Sequence, residues 1–466
     1  MGRRPKQPNT RLRGLILEAG FSNKGLARRV NALGAAKGVP ELRYDHSSVI
    51  RWLAGEHPRD PVPKLITEVF TMQLGRRLTP ADLGMEPVEA DAGVGLEFPL
   101  NWTDGVRAVI GLWRADVERR RFLVESGFAV SAYSAAALRW LTAPPVDRPT
   151  SAGRLRVGPS DVEAIREVTR TARAHDNRLG GGRFRATVVQ YLNAEVTPLL
   201  RDSQYRVEVG AQLFSAAAEL TQVAGWMAYD LEQHGLAQRY MVQALRLART
   251  ANDSALGGEV LAAMSHQAVY VGRAEDGIDL ARAAQANARR AGMPLLLAEC
   301  QVAEAHGHAV RRDQQACKRA LSESERTFTK ASSSGPSSGP TWLSYFDEAY
   351  LAAKTAHCFR ELGRPAETER FARRSLRMDG RYVRGQTFNM TMLAGAYARQ
   401  GEAESAVHVG RQALDLASGL DSMRTRRYLR GLRQALQPYA SGREVREFVG
   451  QLDLAVSAGS ARTVRQ

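Results

Sequence analysis

Along most of the chain apolar residues recur at three- and four-residue intervals, in segments rich in Ala, Leu, Arg, Glu and Gln, while alternating β-branched runs are almost absent. This pattern predicts an all-α fold. Residues 1–86 carry short helical patterns separated by turns and end at a Gly-, Pro- and acid-containing break, Glu86 to Gly93. Residues 87–159 read as a linker with one strong amphipathic helix over 104–125 and a shorter one near 131–141, closed by a Pro-rich stretch. Val109, Leu112, Trp113 and Val117 share one face of the longer helix. That face predicts either packing against the segment that follows or a dimerisation or relay helix.

From 160 to 457 the texture is repetitive. Five segments share one pattern: Gly235 with Ala244, Gly272 with Ala284, Arg311 with Ala320, Gly363 with Ser375, and Gly401 with Ala413. The small residues recur at intervals of 40, 36, 55 and 38, and the long interval contains the insert Ser332 to Pro340, predicted to be a mobile loop. Each unit reads as a helix ending at Gly, a short turn, and a second helix with Ala at a close approach. The pattern resembles the tetratricopeptide repeat with longer helices, which implies a stacked α-solenoid with a concave groove. Tyr229, Arg239, Tyr240, His266 and Tyr270 are the candidates for lining that groove.

The N-terminal zone has a sharper pattern. Leu12, Leu15, Ile16 and Ala19 make one helical face, Gly20 and Phe21 turn the chain, and Ser22 caps a second helix carrying Leu26, Ala27 and Val30. A connection over Asn31 to Tyr44 leads to Asp45, which caps a helix from His46 that ends at Gly55. Val49, Trp52 and Leu53 lie on one side of that helix, and Ser47, Ser48 and Arg51 on another. This arrangement resembles the Cro/repressor-type helix-turn-helix over roughly residues 10–85, apart from the long connection. The resemblance implies a recognition helix in the major groove. Arg51 would pair with guanine, Ser47, Ser48 and His46 would reach bases or phosphates, and Ser22, Lys24, Arg28, Arg43 and Arg59 would complete the DNA-facing set. Arg3, Arg4, Lys6, Arg11 and Arg13 would form a basic arm.

Composition supports an anionic partner: 65 Lys plus Arg stand against 49 Asp plus Glu, for a net charge of +16. Cys300, Cys317 and Cys358 show neither disulfide nor zinc spacing, and no apolar window is long enough to span a membrane. A cytoplasmic, nucleoid-associated protein is expected. The glycine run Gly180–Gly182 lacks the Gly-Lys-Ser/Thr ending of a phosphate loop and reads as an interhelical turn. No metal, cofactor or catalytic constellation is legible, so no enzyme is expected.

Leu112 to Arg120, Ala224 to Asp230, Leu236 to Tyr240 and Met264 to Ala268 resemble the streptomycete helix-turn-helix/tetratricopeptide regulators of differentiation and antibiotic production, including the NsdA-type negative regulators. That resemblance implies a homodimeric transcriptional regulator of development or secondary metabolism. Its partners would be double-stranded DNA and a peptide, small molecule or protein bound by the array. The alternative is a scaffold whose repeats recruit proteins and whose N-terminal domain is an anchor.

Overall fold

A computed structural model describes residues 8–85 (except 38, 40, 57, 59–60, 77, 79 and 81), 93–118, 126–144, 153, 155–333 and 339–457. The chain divides into two compact units, Met1–Val94 and Gly95–Gln466.

Among the described residues the first unit holds the helices α1 (Thr10–Glu18), α2 (Asn23–Ala36), α3 (His46–Leu53) and α4 (Val62–Leu74). The first three are capped by side chains that satisfy otherwise unpaired N–H groups: Asn9 accepts from Leu12, Ser22 from Gly25, and Asp45 from Ser48. Leu12, Ile16, Leu26, Val30, Trp52, Ile66 and Phe70 meet in one core. Helix α2 is longer than the sequence pattern predicts, because it runs through Ala36 and absorbs nearly half of the expected connection. The rest is clamped: the Asn31 amide donates to Tyr44 O (2.8 Å) and accepts from Tyr44 N (3.0 Å).

The second unit contains the repeats. Six hairpins follow one another: α10 (Val207–Asp230) with α11 (His234–Ala251), α12 (Ser254–Tyr270) with α13 (Ala274–Arg290), α14 (Pro294–Val310) with α15 (Gln314–Ser333), α16 (Glu348–Glu361) with α17 (Pro365–Ser375), α18 (Val383–Gln400) with α19 (Ala403–Ala417), and α20 (Met423–Leu436) with α21 (Arg443–Ser457). The architecture is an all-α solenoid, with one two-residue parallel pairing, β1 (Leu155–Arg156) against β2 (Ser203–Gln204), among the described residues. The turns inside the first five hairpins share one register: Glu232, Gly272, Arg312, Gly363 and Gly401 all have positive φ. Arg312 therefore occupies a slot that elsewhere favours glycine. Gly235 does not belong to that register. It lies inside α11, where an added Cβ would sit 2.0 Å from Ser126 O. Of the predicted loop after α15, residues 334–338 lie outside the described residues.

Hairpins begin at 207 rather than 160. Helix α7 (Pro159–Leu179), then α8 (Arg185–Tyr191), a π turn (Leu192–Val196) and α9 (Thr197–Arg201) come first. Helix α7 is amphipathic like a repeat helix, but it packs across α10 and α18 and so bridges the first and fifth hairpins. The array returns on itself at a polar seam. Arg384 of α18 binds Asp176 of α7 through two bonds of 2.7 and 2.8 Å and lies 3.2 Å from Asp230 of α10. Ser422 Oγ donates to Asp230 (2.9 Å), and the Gly181 N–H donates to the same carboxylate (3.0 Å). The glycine run is a turn, as its sequence predicts, and it is also part of this seam. A Cβ on Gly181 would lie 2.5 Å from Met227 O, and one on Gly182 would lie 2.1 Å from the Asp421 carboxylate.

The segment expected to be a linker is a layer of this unit from Gly95 onward. Helices α5 (Trp102–Glu118) and α6 (Ala132–Thr142) pack on α11, and α6 also reaches α13. Val109, Leu112 and Trp113 are buried there, so the apolar face considered for dimerisation is used inside the unit, apart from Val117, which stays exposed. The predicted extension of α5 over 119–125 lies outside the described residues.

Candidate functional site

In the first unit α3 has two distinct sides. Val49 and Trp52 are buried, while His46, Ser47, Ile50 and Arg51 face solvent. The amphipathic spacing and the Asp45 cap fix that orientation. Asp45 accepts from Ser48 N (2.9 Å), Ser48 Oγ (2.9 Å) and Ser47 Oγ (3.1 Å). Hydrogen bonding by the Ser48 N–H, then by the two hydroxyls, pulls the Asp45 carboxyl down to about 2.

This corrects the reading of Ser48. It is buried and completes a capping box, because its hydroxyl belongs to the helix start. Ser47 remains exposed, with its hydroxyl turned to Asp45. Arg51 is exposed, with its guanidinium 3.4 Å from Ser48 Oγ and 3.9 Å from Glu56. Ser22, Lys24, Arg28 and Arg43 are exposed as expected; Ser22 Oγ is engaged as the cap of α2, and Arg43 donates to Leu42 O. Arg59, Arg3, Arg4 and Lys6 lie outside the described residues, whereas Arg11 and Arg13 are exposed on α1.

In the second unit the groove candidates separate into two groups. Tyr240 and Arg239 sit on α11, the second helix of its hairpin, and are buried beneath the α5 layer. The Tyr240 hydroxyl donates to Asp116 (2.6 Å), which also binds the buried Arg185. Neither residue lines a groove, because the hairpin's second helix faces outward. Tyr229, His266 and Tyr270 lie on first helices and do come together: Tyr229 Oη is 3.0 Å from His266 Nε2, and the Tyr229 and Tyr270 rings are 5.1 Å apart. Arg424 of α20 stacks 4.4 Å above Tyr229 and 4.7 Å from Phe388, while Tyr270 donates to Glu232 (3.0 Å).

Around them the array places residues that sequence reasoning missed. His266, His306 and His357 each stand six residues before a positive-φ turn residue, and Trp226 holds the same position one repeat earlier. Stacked, they form a ladder with ring centroids 5.6, 6.1 and 6.1 Å apart. Glu219, Glu259 and Glu299 occupy the position thirteen residues before the turn, making a parallel acidic ladder. The signal was present in the repeat register. Small residues on the second helices obscure it, because their spacing differs from that of the turns.

Between the ladders lies a cavity of about 20 Å³, lined by Trp226, Glu259, His266, Glu299, His306, Tyr350, Lys354 and small side chains. It has room for one water-sized group, so an open peptide-binding groove is absent at this point. Lys354 Nζ is 3.0 Å from His266 Nδ1, and Tyr345 donates to Glu299 (2.5 Å). Burial pushes the Glu299 carboxyl up to about 7, and burial together with the neighbouring Glu299 raises Glu259 well above its ordinary value. Burial also lowers His306 to about 3 and holds His266 and His357 well below their ordinary value.

These shifts set a pH profile. Neutral buried histidines bind fewer protons than in the unfolded chain, so they cost stability as pH falls below their ordinary value of 6.5. The raised carboxyls bind more protons than in the unfolded chain, so they cost stability as pH rises above their ordinary value of 4.5. Between these values the lowered histidines, His234 included, oppose the raised carboxyls, Glu219 and Asp176 included; above 6.5 the histidines no longer act and the carboxyls are unopposed among these groups. Between pH 3 and 8 the array is expected to be most stable between pH 4.5 and 6.5, with a steep loss below 4.5, where the histidines act without that opposition. Chemical unfolding monitored by circular dichroism across that range checks this, and a profile rising steadily to pH 8 would contradict it.

Three comparisons bear on this chain. No curated protein matches it. A solved structure titled "Circular tandem repeat protein with novel repeat topology and enhanced subunit contact surfaces" is 16% identical, with 98% of this chain and 99% of that chain covered, at a TM-score of 0.18. A likeness at that score carries no inference. A family model described as "SP15 N-terminal domain" matches residues 12–86, so the helices of the first unit are similar to that domain.

Proposed function

We propose that this protein is a sequence-specific DNA-binding transcriptional regulator whose N-terminal unit reads double-stranded DNA through α3 and whose repeat array senses a ligand. The observation that carries the reading is the two-sidedness of α3. Its buried Val49 and Trp52 anchor it, and its cap fixes an exposed row of His46, Ser47, Ile50 and Arg51. A short helix with a polar N-terminal half and basic neighbours matches the geometry of a recognition helix, in which few side chains reach base edges and the rest meet phosphates.

Arg51 supplies the bidentate guanine contact, and Ile50, which is 51% exposed, suits a thymine methyl. Lys24, Arg28 and Arg43 neutralise phosphates. The protein acts as a homodimer on paired half-sites, and the sequence resemblance to streptomycete regulators supports a role in development or secondary metabolism. A ligand acts by binding two arrangements of the array with different affinity.

Selection of duplexes from a random pool by the full chain, followed by binding titrations, tests this. The expected result is an enriched motif with affinity falling steeply with salt, and an Arg51→Ala variant that loses about 1–3 kcal/mol of discrimination at one base pair. Arg28→Ala is expected to weaken all sequences alike. Absence of an enriched motif, together with capture of a defined protein by the repeats, would favour the scaffold instead.

A further inference from the structure

The cavity between the two ladders has an unusual charge composition. Two carboxyls and one amine line it, Glu259, Glu299 and Lys354, beside His266 and His306, and both acids are deeply buried, at 2% and 7% exposure. Each carboxyl uses one oxygen. Glu259 Oε1 accepts from Gln222 (3.1 Å) and from Tyr345 (3.4 Å), and Glu299 Oε1 accepts from Tyr345 (2.5 Å). The other oxygen of each, Oε2, is buried without a hydrogen-bond partner. Two unpaired buried acceptors in one enclosed space are costly unless something donates to both.

We infer that this cavity is a binding site for a primary ammonium group, whose N–H donors bridge Glu259 Oε2 and Glu299 Oε2 beside the Trp226 and Tyr350 rings. Three observations lead there. The two unpaired buried oxygens are both acceptors when ionised, which selects a donor. The space fits a head group the size of water, and Trp226, His266, Tyr350 and Lys354 are only partly buried, so the remainder of a ligand has a route to solvent. Aromatic walls stabilise a desolvated cation.

Charge balance completes the case. With both carboxyls ionised, Lys354 leaves the cavity one positive charge short. Neighbouring groups do not make up the difference. The three histidines are held neutral by burial, Arg424 lies beside Asp230 of its own seam, and Arg173 of α7 acts on Glu259 but also on the third ladder carboxylate, Glu219, whose charge it offsets. Tyr229, Tyr345 and Tyr350 are also kept protonated by burial. In the empty site one proton shared between the two carboxyls supplies the missing charge, consistent with the raised carboxyls. An entering R–NH3⁺ replaces that proton, which leaves to solvent, and the cavity stays neutral in both states.

This inference rests on the reading of the array as the sensor, and its test needs no DNA. Titration calorimetry of the full chain at pH 6 with ammonium chloride and with propylammonium chloride, each against sodium chloride and tetramethylammonium chloride at equal ionic strength, is the experiment. Repetition in buffers of different ionisation heat counts protons. The expected result is saturable binding of the two N–H-bearing cations with about one proton released per cation. Ammonium alone would mark a free-ion site, and propylammonium as well a site for the head of a larger amine.

Glu299→Gln keeps the shape, removes the charge deficit, and is expected to weaken binding by about tenfold or more with proton release abolished. If that variant does not fold, the proton count on the native chain still decides. Saturation indistinguishable from sodium chloride would mean that the cavity holds water only, and equal binding of tetramethylammonium would mean unspecific charge attraction; either overturns the inference. Failure here leaves DNA binding untouched, and failure of DNA binding leaves the calorimetric result standing.

Discussion

Replacing Asp230 with alanine is expected to destabilise residues 95–466 by about 3–5 kcal/mol, the cost of removing one partner from a buried charge network. Asp230 is 1% exposed and serves Arg384, Arg424, Ser422 and the Gly181 N–H together. Its loss leaves two buried guanidinium groups short of their counter-charge and two donors unmatched. Asp230→Asn is expected to cost less, because the amide oxygen still accepts. Because the seam joins the first hairpin to the last, the alanine variant should also loosen that junction. Hydrogen exchange would then show lost protection at α7, α10 and α20 before the middle hairpins. Uniform loss across all six hairpins would mean that the seam is not a separate closing element.

Trp52→Ala is expected to cost the first unit about 3–5 kcal/mol, the usual penalty for truncating a buried aromatic residue. That is a large fraction of the stability of a unit this small. Trp52 is 4% exposed and meets Tyr44 edge-on at 5.1 Å, so it ties α3 to the segment that leads into it. The helical signal of the array should persist while the first unit melts at lower temperature. A single shared transition moved by this substitution would show that the two units do not unfold separately.

Much of this molecule was legible in its sequence, because amphipathic period and capping chemistry are local. Asn9 was the one cap of the first three helices that went unnoticed; Ser22 and Asp45 cap as read, and Leu12, Leu26, Val49 and Trp52 are core. Ser48 was misassigned because the same hydroxyl suits a base contact and a capping box, and only its burial distinguishes them. Tyr240 and Arg239 were placed in the groove because hairpin periodicity does not say which helix faces inward. The seam was invisible, since Asp176, Asp230, Arg384 and Ser422 are far apart in sequence and meet only when the array closes. The inner ladders were recoverable once the turn at Arg312 is recognised in a slot occupied by glycine at three of the other four positions.

The central claim is that α3 reads DNA sequence, and genome-wide enrichment of the tagged full chain in its host, beside the Arg51→Ala variant, tests it most directly. Discrete peaks sharing a palindromic motif, lost in the variant while protein level and fold are retained, are the predicted result. Diffuse recovery without a motif, or peaks unchanged by Arg51→Ala, would contradict it.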